Sequence, residues 1–274
     1  MARNWQDLGV RSLSAVVLIP AVLIADWAGG PWFIILVALA GVMMAREYVA
    51  IVHGGSEHQF ALHAAAALSG AVLPAAAGPG VTLLALGALW AVSLFATARS
   101  GKSPGVWTAI GVAYVGLPCA GLELLRMSST HGALSIVFLF AVVWAADISA
   151  YFAGRLIGGP KLMPAISPNK TWAGLCGAIA GGICAGAALW IFDRQFNLLW
   201  LVALGAGLAV VEQGGDLIES ALKRRHGVKD SGNLIPGHGG ILDRIDGLIA
   251  AAVIAAGVAW AWRGLGIGAG FLLR

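Results

Sequence analysis

Apolar residues run in blocks of about 17 to 24 along almost the whole chain, interrupted only by short polar or Gly/Pro-containing stretches. Blocks of that length fit an α-helix crossing a hydrocarbon layer of about 30 Å at about 1.5 Å per residue. They predict nine helices, near residues 12–28, 32–50, 60–77, 81–98, 106–125, 133–154, 173–192, 198–221 and 246–263. The breaks have helix-ending chemistry: Gly29-Gly30-Pro31, His53-Gly54-Gly55-Ser56, Gly78-Pro79-Gly80 and Ser100-Gly101-Lys102-Ser103-Pro104. The fold class that follows is all-α, a polytopic transmembrane helical bundle.

Composition removes the soluble alternative. Hydrophobic residues make up 59% of 274 and charged residues 11%, with a mean hydropathy of +0.86. A soluble domain carries about 25% charged residues, so most of this surface does not face water. The basic start and the apolar run from Leu13 to Ile24 imitate a secretory signal. Further spans follow at once, so an uncleaved first helix is expected. Cys119, Cys176 and Cys184 lie in apolar stretches without ligand spacing and read as small buried hydrophobes.

Charge orients the bundle. With the N-terminus cytoplasmic and nine spans, only Arg126, Arg194, Arg263 and Arg274 fall outside, leaving 13 of the 17 Lys and Arg residues inside and the C-terminus outside. That is the positive-inside bias, and it predicts a protein of the cytoplasmic (inner) membrane whose active face is cytoplasmic. Nucleic acid is a poor partner, because no basic helix or aromatic-basic platform stands outside the membrane. Anionic lipid or nucleotide phosphate suits the one-sided charge. The paired glycines Gly177/Gly181 and Gly182/Gly186 make small faces for close helix packing, within one bundle by preference or across a homodimer.

The N-terminal region, 1–130, is chemically quiet and reads as a lipid-facing scaffold. Arg46 and Glu47 sit near a span end, where snorkelling or pairing at the interface accounts for them. His53, His58 and His63 read as a solvated loop. The C-terminal region, 131–274, differs, with cytoplasmic loops 155–172 and 222–245. Asp147 enters an apolar helix, with Tyr151 and Gly154 on the same face. Glu212, Asp216, Glu219, Ser220 and Lys223 form one polar stripe on another. Ionisable groups at membrane depth are costly and usually functional. Three carboxylates on one stripe repel unless cations sit among them. Asp243 and Asp246, flanking Arg244, stand at i and i+3 as the last helix begins.

The loop between contributes Arg224, Arg225, Lys229, Asp230 and the glycines Gly237, Gly239 and Gly240, whose lack of side chains lets backbone N–H groups approach an anion. The loop from Gly158 to Trp172 adds Lys161, Ser167, Asn169, Lys170 and Thr171. Carboxylates for Mg²⁺, together with lysine, arginine and glycine donors, are the parts of a phosphoryl- or nucleotidyl-transfer site.

These residues carry a resemblance. The stretch from Ser220 to Asp246 resembles the signature of the phosphatidate cytidylyltransferases (CDP-diacylglycerol synthases). It matches at Ser220, Lys223, Arg224, Lys229, Asp230, Gly232, Pro236, His238, Gly239, Gly240, Asp243, Arg244 and Asp246. Gly215-Asp216-Leu217, with Glu219 and Ser220, and Asp147 with Ala150, Tyr151 and Gly154, agree as well. The element Ser167-Pro168-Asn169-Lys170-Thr171-Trp172-Ala173-Gly174 departs from the family pattern, with Asn169 for a lysine and Ala173 for a glutamate. The resemblance covers about residues 140–250.

It implies reaction of CTP with phosphatidate to give CDP-diacylglycerol and pyrophosphate, in phospholipid biosynthesis. Asp216, Asp243 and Asp246 would hold Mg²⁺, with a second, monovalent cation as a further candidate. Lys170 and Lys223 would act in catalysis and, with Arg224, Lys229 and Arg244, neutralise phosphates. His238, Gly239 and Gly240 would position those phosphates. Asp147, Tyr151, Ser167, Asn169, Thr171, Ser220 and Asp230 complete the expected substrate site. Rival readings are a CTP-dependent enzyme acting on another lipid phosphate, a catalytically silent scaffold and, from a different class, an ion-coupled transporter. The transporter lacks support, since no inverted repeat is visible and the charges gather at one face.

Overall fold

A computed structural model of the chain describes residues 19–101, 105–127, 131–232, 239–264 and 271–272. Helices follow the apolar blocks: α1 (Ile19–Ala28), α2 (Gly30–His53), α3 (Glu57–Arg99), α4 (Val106–Arg126), α5 (Gly132–Leu156), α6 (Trp172–Phe192), α7 (Leu198–Arg225) and α8 (Leu242–Gly264). Seven of these, α2 to α8, are long and apolar enough to cross a membrane. Large apolar side chains on them, including Leu39, Leu84, Phe95, Ile148 and Trp260, are exposed. The protein is an integral membrane protein.

The expected breaks end helices for visible reasons. Gly54, with φ 62°, caps α2 in the left-handed conformation, and Ser56 caps α3 by accepting from the Gln59 N–H. As a straight rod, α3 would measure about 65 Å for its 43 residues, about twice a hydrocarbon core. It is not straight. Gly78 (φ 84°, ψ 168°) between Pro74 and Pro79 breaks it. Gln59 Nε2 donates to Ser93 O (3.1 Å) and Thr97 Oγ1 (3.0 Å), while Ser93 Oγ donates to Gln59 Oε1 (2.7 Å). Such contacts require the two limbs to fold back antiparallel about Gly78. The two blocks expected at 60–77 and 81–98 are these limbs.

The chain divides into two compact units. One comprises Met1–Cys119 and His226–Ile245, the other Ala120–Arg225 and Asp246–Arg274. The first therefore takes in most of the loop expected at 222–245. Within it, α2 packs on α3. His63 is fully buried there, stacked on Tyr48 at 5.7 Å. This corrects the solvated-loop expectation: all three histidines are helical, His53 ends α2 with its ring 5.3 Å from that of His63, and of the three only His58 is exposed. The position of His63 in the second turn of α3 turns it inward. Cys119 is buried as expected, but Cys176 and Cys184 are exposed on α6.

In the second unit, α6 packs between α5 and α7. A Cβ at Gly177, Gly181, Gly182 or Gly186 would lie under 3.0 Å from backbone or side-chain atoms of α5 or α7. All four glycines thus serve packing inside this unit, which leaves helix backbones almost in contact. One element departs from the all-α expectation. The loop after α5 forms an antiparallel hairpin, β1 (Lys161–Met163) and β2 (Ser167–Thr171). Gly158 and Gly159, at φ 68° and 92°, turn the chain into it.

Candidate active site

β2 delivers Lys170 to a cavity of about 570 Å³ inside the second unit. Asp147, Tyr151 and Arg155 of α5, Asn169 and Thr171 of β2, and Gln213 and Asp216 of α7 line it with Lys170. That volume falls in the range of small-molecule sites, about 300–1,000 Å³. Thr171 ends the hairpin and caps α6, accepting from the Gly174 N–H at 3.0 Å. A Cβ at Gly154 would stand 3.1 Å from Thr171 Oγ1, so this glycine lets α5 approach the β2–α6 junction.

Lys170 Nζ is 2.6 Å from Asp216 Oδ2 and donates to Gln213 Oε1 at 2.9 Å. Gln213, itself buried, donates through Nε2 to buried Glu212 (2.9 Å). The amide thus spans an ammonium and a carboxylate and fixes where Lys170 lies. Asp216 Oδ1 accepts from Ser220 Oγ at 3.3 Å, one turn along α7.

Behind this pair is a carboxylate cluster. Asp216, Glu219 and Asp246 each offer an oxygen within 4.8 Å of the others. Asp216 and Glu219 share a face of α7 by their i, i+3 spacing. Asp246 reaches them because glycines let α8 lie close against α7. A Cβ on Gly215 would stand 2.7 Å from Asp246 O, and one on Gly247 would stand 2.6 Å from Glu212 Cγ. Lys223 Nζ lies 2.6 Å from Glu219 Oε2. Three carboxylates with two ammonium groups leave a surplus of negative charge. A cluster of hard oxygen donors with that surplus suits a divalent cation such as Mg²⁺.

Tyr151, on the same cavity wall, accepts through its OH from Arg155 (2.7 Å). The remaining expected residues fall elsewhere. Arg224 Nε donates to Ile166 O of the hairpin at 3.4 Å. Ser167 is half-buried at the start of β2, while Lys229, Asp230 and Arg244 are exposed. His238 lies outside the described residues. Asp243 belongs to the first unit. Its Oδ2 accepts from the Ser231 N–H (2.9 Å), the Gly240 N–H (3.0 Å) and Ser231 Oγ (2.9 Å). The Gly240 N–H, expected to face a phosphate, is thus directed at Asp243. The glycine is required by packing, since a Cβ there would stand 2.5 Å from Glu47 Oε2. Gly239, at φ 85°, needs its conformational freedom.

Several site residues were not singled out in the sequence as such. Glu219 was visible in the stripe, yet its place in the cluster depends on the α7–α8 approach. Gln213 carries no charge to mark it. Arg155 shares an i, i+4 spacing with Tyr151 that was open to notice.

The chain is similar in sequence to known proteins. The Cytidylyltransferase family matches residues 9–262. A phosphatidate cytidylyltransferase of Brucella abortus biovar 1 (strain 9-941) is 39% identical over 253 residues, covering 90% of this chain and 92% of that protein. One of Pseudomonas aeruginosa is 36% identical over 266 residues, covering 92% and 96%. One of Staphylococcus epidermidis (strain ATCC 35984) is 39% identical over 183 residues, 64% and 69% of the respective chains. A chain matched over nearly its whole length, with Asp147, Arg155, Lys170 and Asp216 on one cavity, is a nucleotidyl-transferring enzyme, and it belongs to the cytidylyltransferase family.

Proposed function

We propose that the enzyme transfers the cytidylyl group of CTP to phosphatidate, forming CDP-diacylglycerol and pyrophosphate, at the cytoplasmic face of the inner membrane. The observation that carries this reading is Lys170 held against Asp216 on a cavity wall, with Glu219 and Asp246 beside it. The relatives named for the same reaction supply the acceptor, and the one-sided lysine and arginine distribution supplies the face.

A phosphomonoester is a strong anionic nucleophile near neutral pH, with a second pKa of about 6, so no general base is required. A phosphatidate oxygen bonds to the α-phosphorus of CTP while the bond to the bridging oxygen of the β-phosphate breaks and pyrophosphate leaves. The obstacle is to bring two polyanions together and to stabilise the departing charge. Asp216, Glu219 and Asp246 would hold Mg²⁺. When bound, that ion neutralises phosphate oxygens and polarises the leaving group. Lys170 and Lys223, now paired with Asp216 and Glu219, would turn towards phosphate oxygens once their carboxylates are otherwise engaged. Arg224, Lys229 and Arg244 would add positive charge, and Arg155 and Asn169 line the same cavity as Lys170. Asp147, opposite on α5, would orient Lys170 or a cation.

The test is product formation by purified, detergent-solubilised protein given Mg²⁺, CTP and phosphatidate. Pyrophosphate release that needs both substrates and accompanies CDP-diacylglycerol supports the proposal. Release with a polyprenyl phosphate but not with phosphatidate would reassign the acceptor. CTP binding without release from any lipid phosphate would overturn catalysis.

A further inference from the structure

Two cationic side chains line the cavity of the second unit, and a carboxylate holds only one of them. Lys170 is paired with Asp216 and donates to Gln213, with its side chain 15% exposed. Arg155, on the α5 wall, pairs with no carboxylate among the described residues. Its partner is Tyr151, one turn earlier. Arg155 Nη1 donates to the phenol oxygen at 2.7 Å, and Cζ lies 5.9 Å from the ring centroid.

The plain account of such a residue is a membrane anchor. A basic group in the last turn of a helix is favoured by the carbonyl ends, and its stem can lie along an aromatic ring while the charge stays wet. Arg99 is that case. It ends α3, and its guanidinium lies 5.1 Å from the ring of Phe95, again four positions earlier. Arg155 differs in lining a cavity with Lys170 and Asn169. The phenol takes one of its five N–H donors and steadies the guanidinium, leaving the rest of a planar fork whose geometry matches two phosphate oxygens at once.

The surroundings say which phosphate. Ile148, Phe152, Leu156 and Ile157, towards the same end of α5, are exposed apolar side chains, and on a membrane-crossing helix such a surface faces lipid. Arg155 therefore stands where the cavity borders lipid-facing surface. Lys170 and Asp216 stand instead with the carboxylates suited to a divalent cation, and so to a polyphosphate. A phosphate carried on acyl chains reaches the α5 rim with its tails still in the bilayer.

We infer that Arg155 binds the phosphate of the lipid acceptor, phosphatidate, and that Tyr151 is the positioning residue that holds its guanidinium for that contact. The inference rests on the proposed function and deepens it. The acceptor phosphate lies against α5, while the triphosphate lies against Lys170 and the carboxylates of α7.

The experiment compares wild-type protein with Arg155→Gln, Tyr151→Phe, the double variant and, as a control, Arg99→Gln. Pyrophosphate release is measured with phosphatidate varied in detergent mixed micelles at saturating CTP, and then with CTP varied at saturating phosphatidate. Arg155→Gln should raise the KM for phosphatidate by about tenfold to hundredfold, as loss of charge-assisted bonds does, with the KM for CTP held within about threefold. Tyr151→Phe should raise the KM for phosphatidate by about three- to tenfold with kcat nearly unchanged, and should add little in the Arg155→Gln background. Arg99→Gln should match wild type. An unchanged KM for phosphatidate in Arg155→Gln would leave Arg155 a membrane anchor and overturn the inference. So would a parallel rise in both KM values, or a rise for CTP alone. If Arg155→Gln does not accumulate as folded protein, the same comparison on Tyr151→Phe decides. If wild-type protein makes no CDP-diacylglycerol, the functional reading fails. Equilibrium binding of phosphatidate in mixed micelles then decides the role of Arg155: weakening by Arg155→Gln supports it and no change overturns it.

Discussion

A single ammonium group has the most exacting position in this enzyme. Lys170 is fixed by Asp216 on one side and Gln213 on the other. Lys170→Ala should lower kcat by about 10²- to 10³-fold, the usual loss for a group that stabilises developing charge. Arginine should not restore it, since its planar fork does not fit where a compact ammonium does. If Gln213 acts through Lys170, Gln213→Ala should lower kcat/KM by about tenfold, yet add almost nothing in the Lys170→Ala background. Steady-state kinetics on the two single variants and the double variant test this, and additive losses would give Gln213 a separate role. In the cluster, Asp216, Glu219 and Asp246 repel one another. Asp246→Asn lessens that repulsion, so without Mg²⁺ it should raise the melting temperature by about 2–4 °C while activity collapses. Thermal unfolding monitored in detergent with chelator present reads the sign. What the sequence displayed at this scale was charge out of place: Asp147, the stripe from Glu212 to Lys223, and Asp243 with Asp246. It did not display partners. Glu47 looked like an interfacial residue because it lies beside Arg46 near a span end, whereas its partners Ser231, Ile241 and Leu242 lie far along the sequence.

At the scale of elements, glycine decides which helices can touch. Gly182 of α6 meets the Gly205 backbone of α7, and each excludes a side chain on the other. Gly182→Val should destabilise the protein by about 1–3 kcal/mol, as overpacking does. Gly207→Ala, with open space around it, should leave the melting temperature nearly unchanged. A melting curve for each variant separates packing from a general effect of losing glycine. The glycine spacing in α6 was plain in the sequence, and so were the helix breaks at Gly54 and Gly78. The hairpin at Lys161–Thr171 was not. Its strands are three and five residues long, too short for a period-two pattern to emerge. It matters, because β2 carries Lys170 and Asn169 to the cavity.

For the molecule as a whole, metal is the central expectation. Chelation with EDTA should abolish CDP-diacylglycerol formation, and Mg²⁺ should restore it. Product formation that persisted in EDTA would remove the proposed role of the Asp216, Glu219 and Asp246 cluster. Overall architecture was legible because a bilayer imposes block length on any chain that crosses it. Assignment of the loop after α7 to the N-terminal unit was not legible, because only the folded chain brings Ser231 to Glu47. The fold-back of α3 carries a consequence for biosynthesis. Gln59, in its first limb, finds its partners Ser93 and Thr97 only in the second, and an unpaired amide in lipid is penalised. The first limb on its own is therefore a poor candidate for release into the bilayer. The translocation machinery should hold it until the second emerges, so that the two enter as one insertion unit and a nascent chain arrested near Gly78 stays cross-linkable to that machinery.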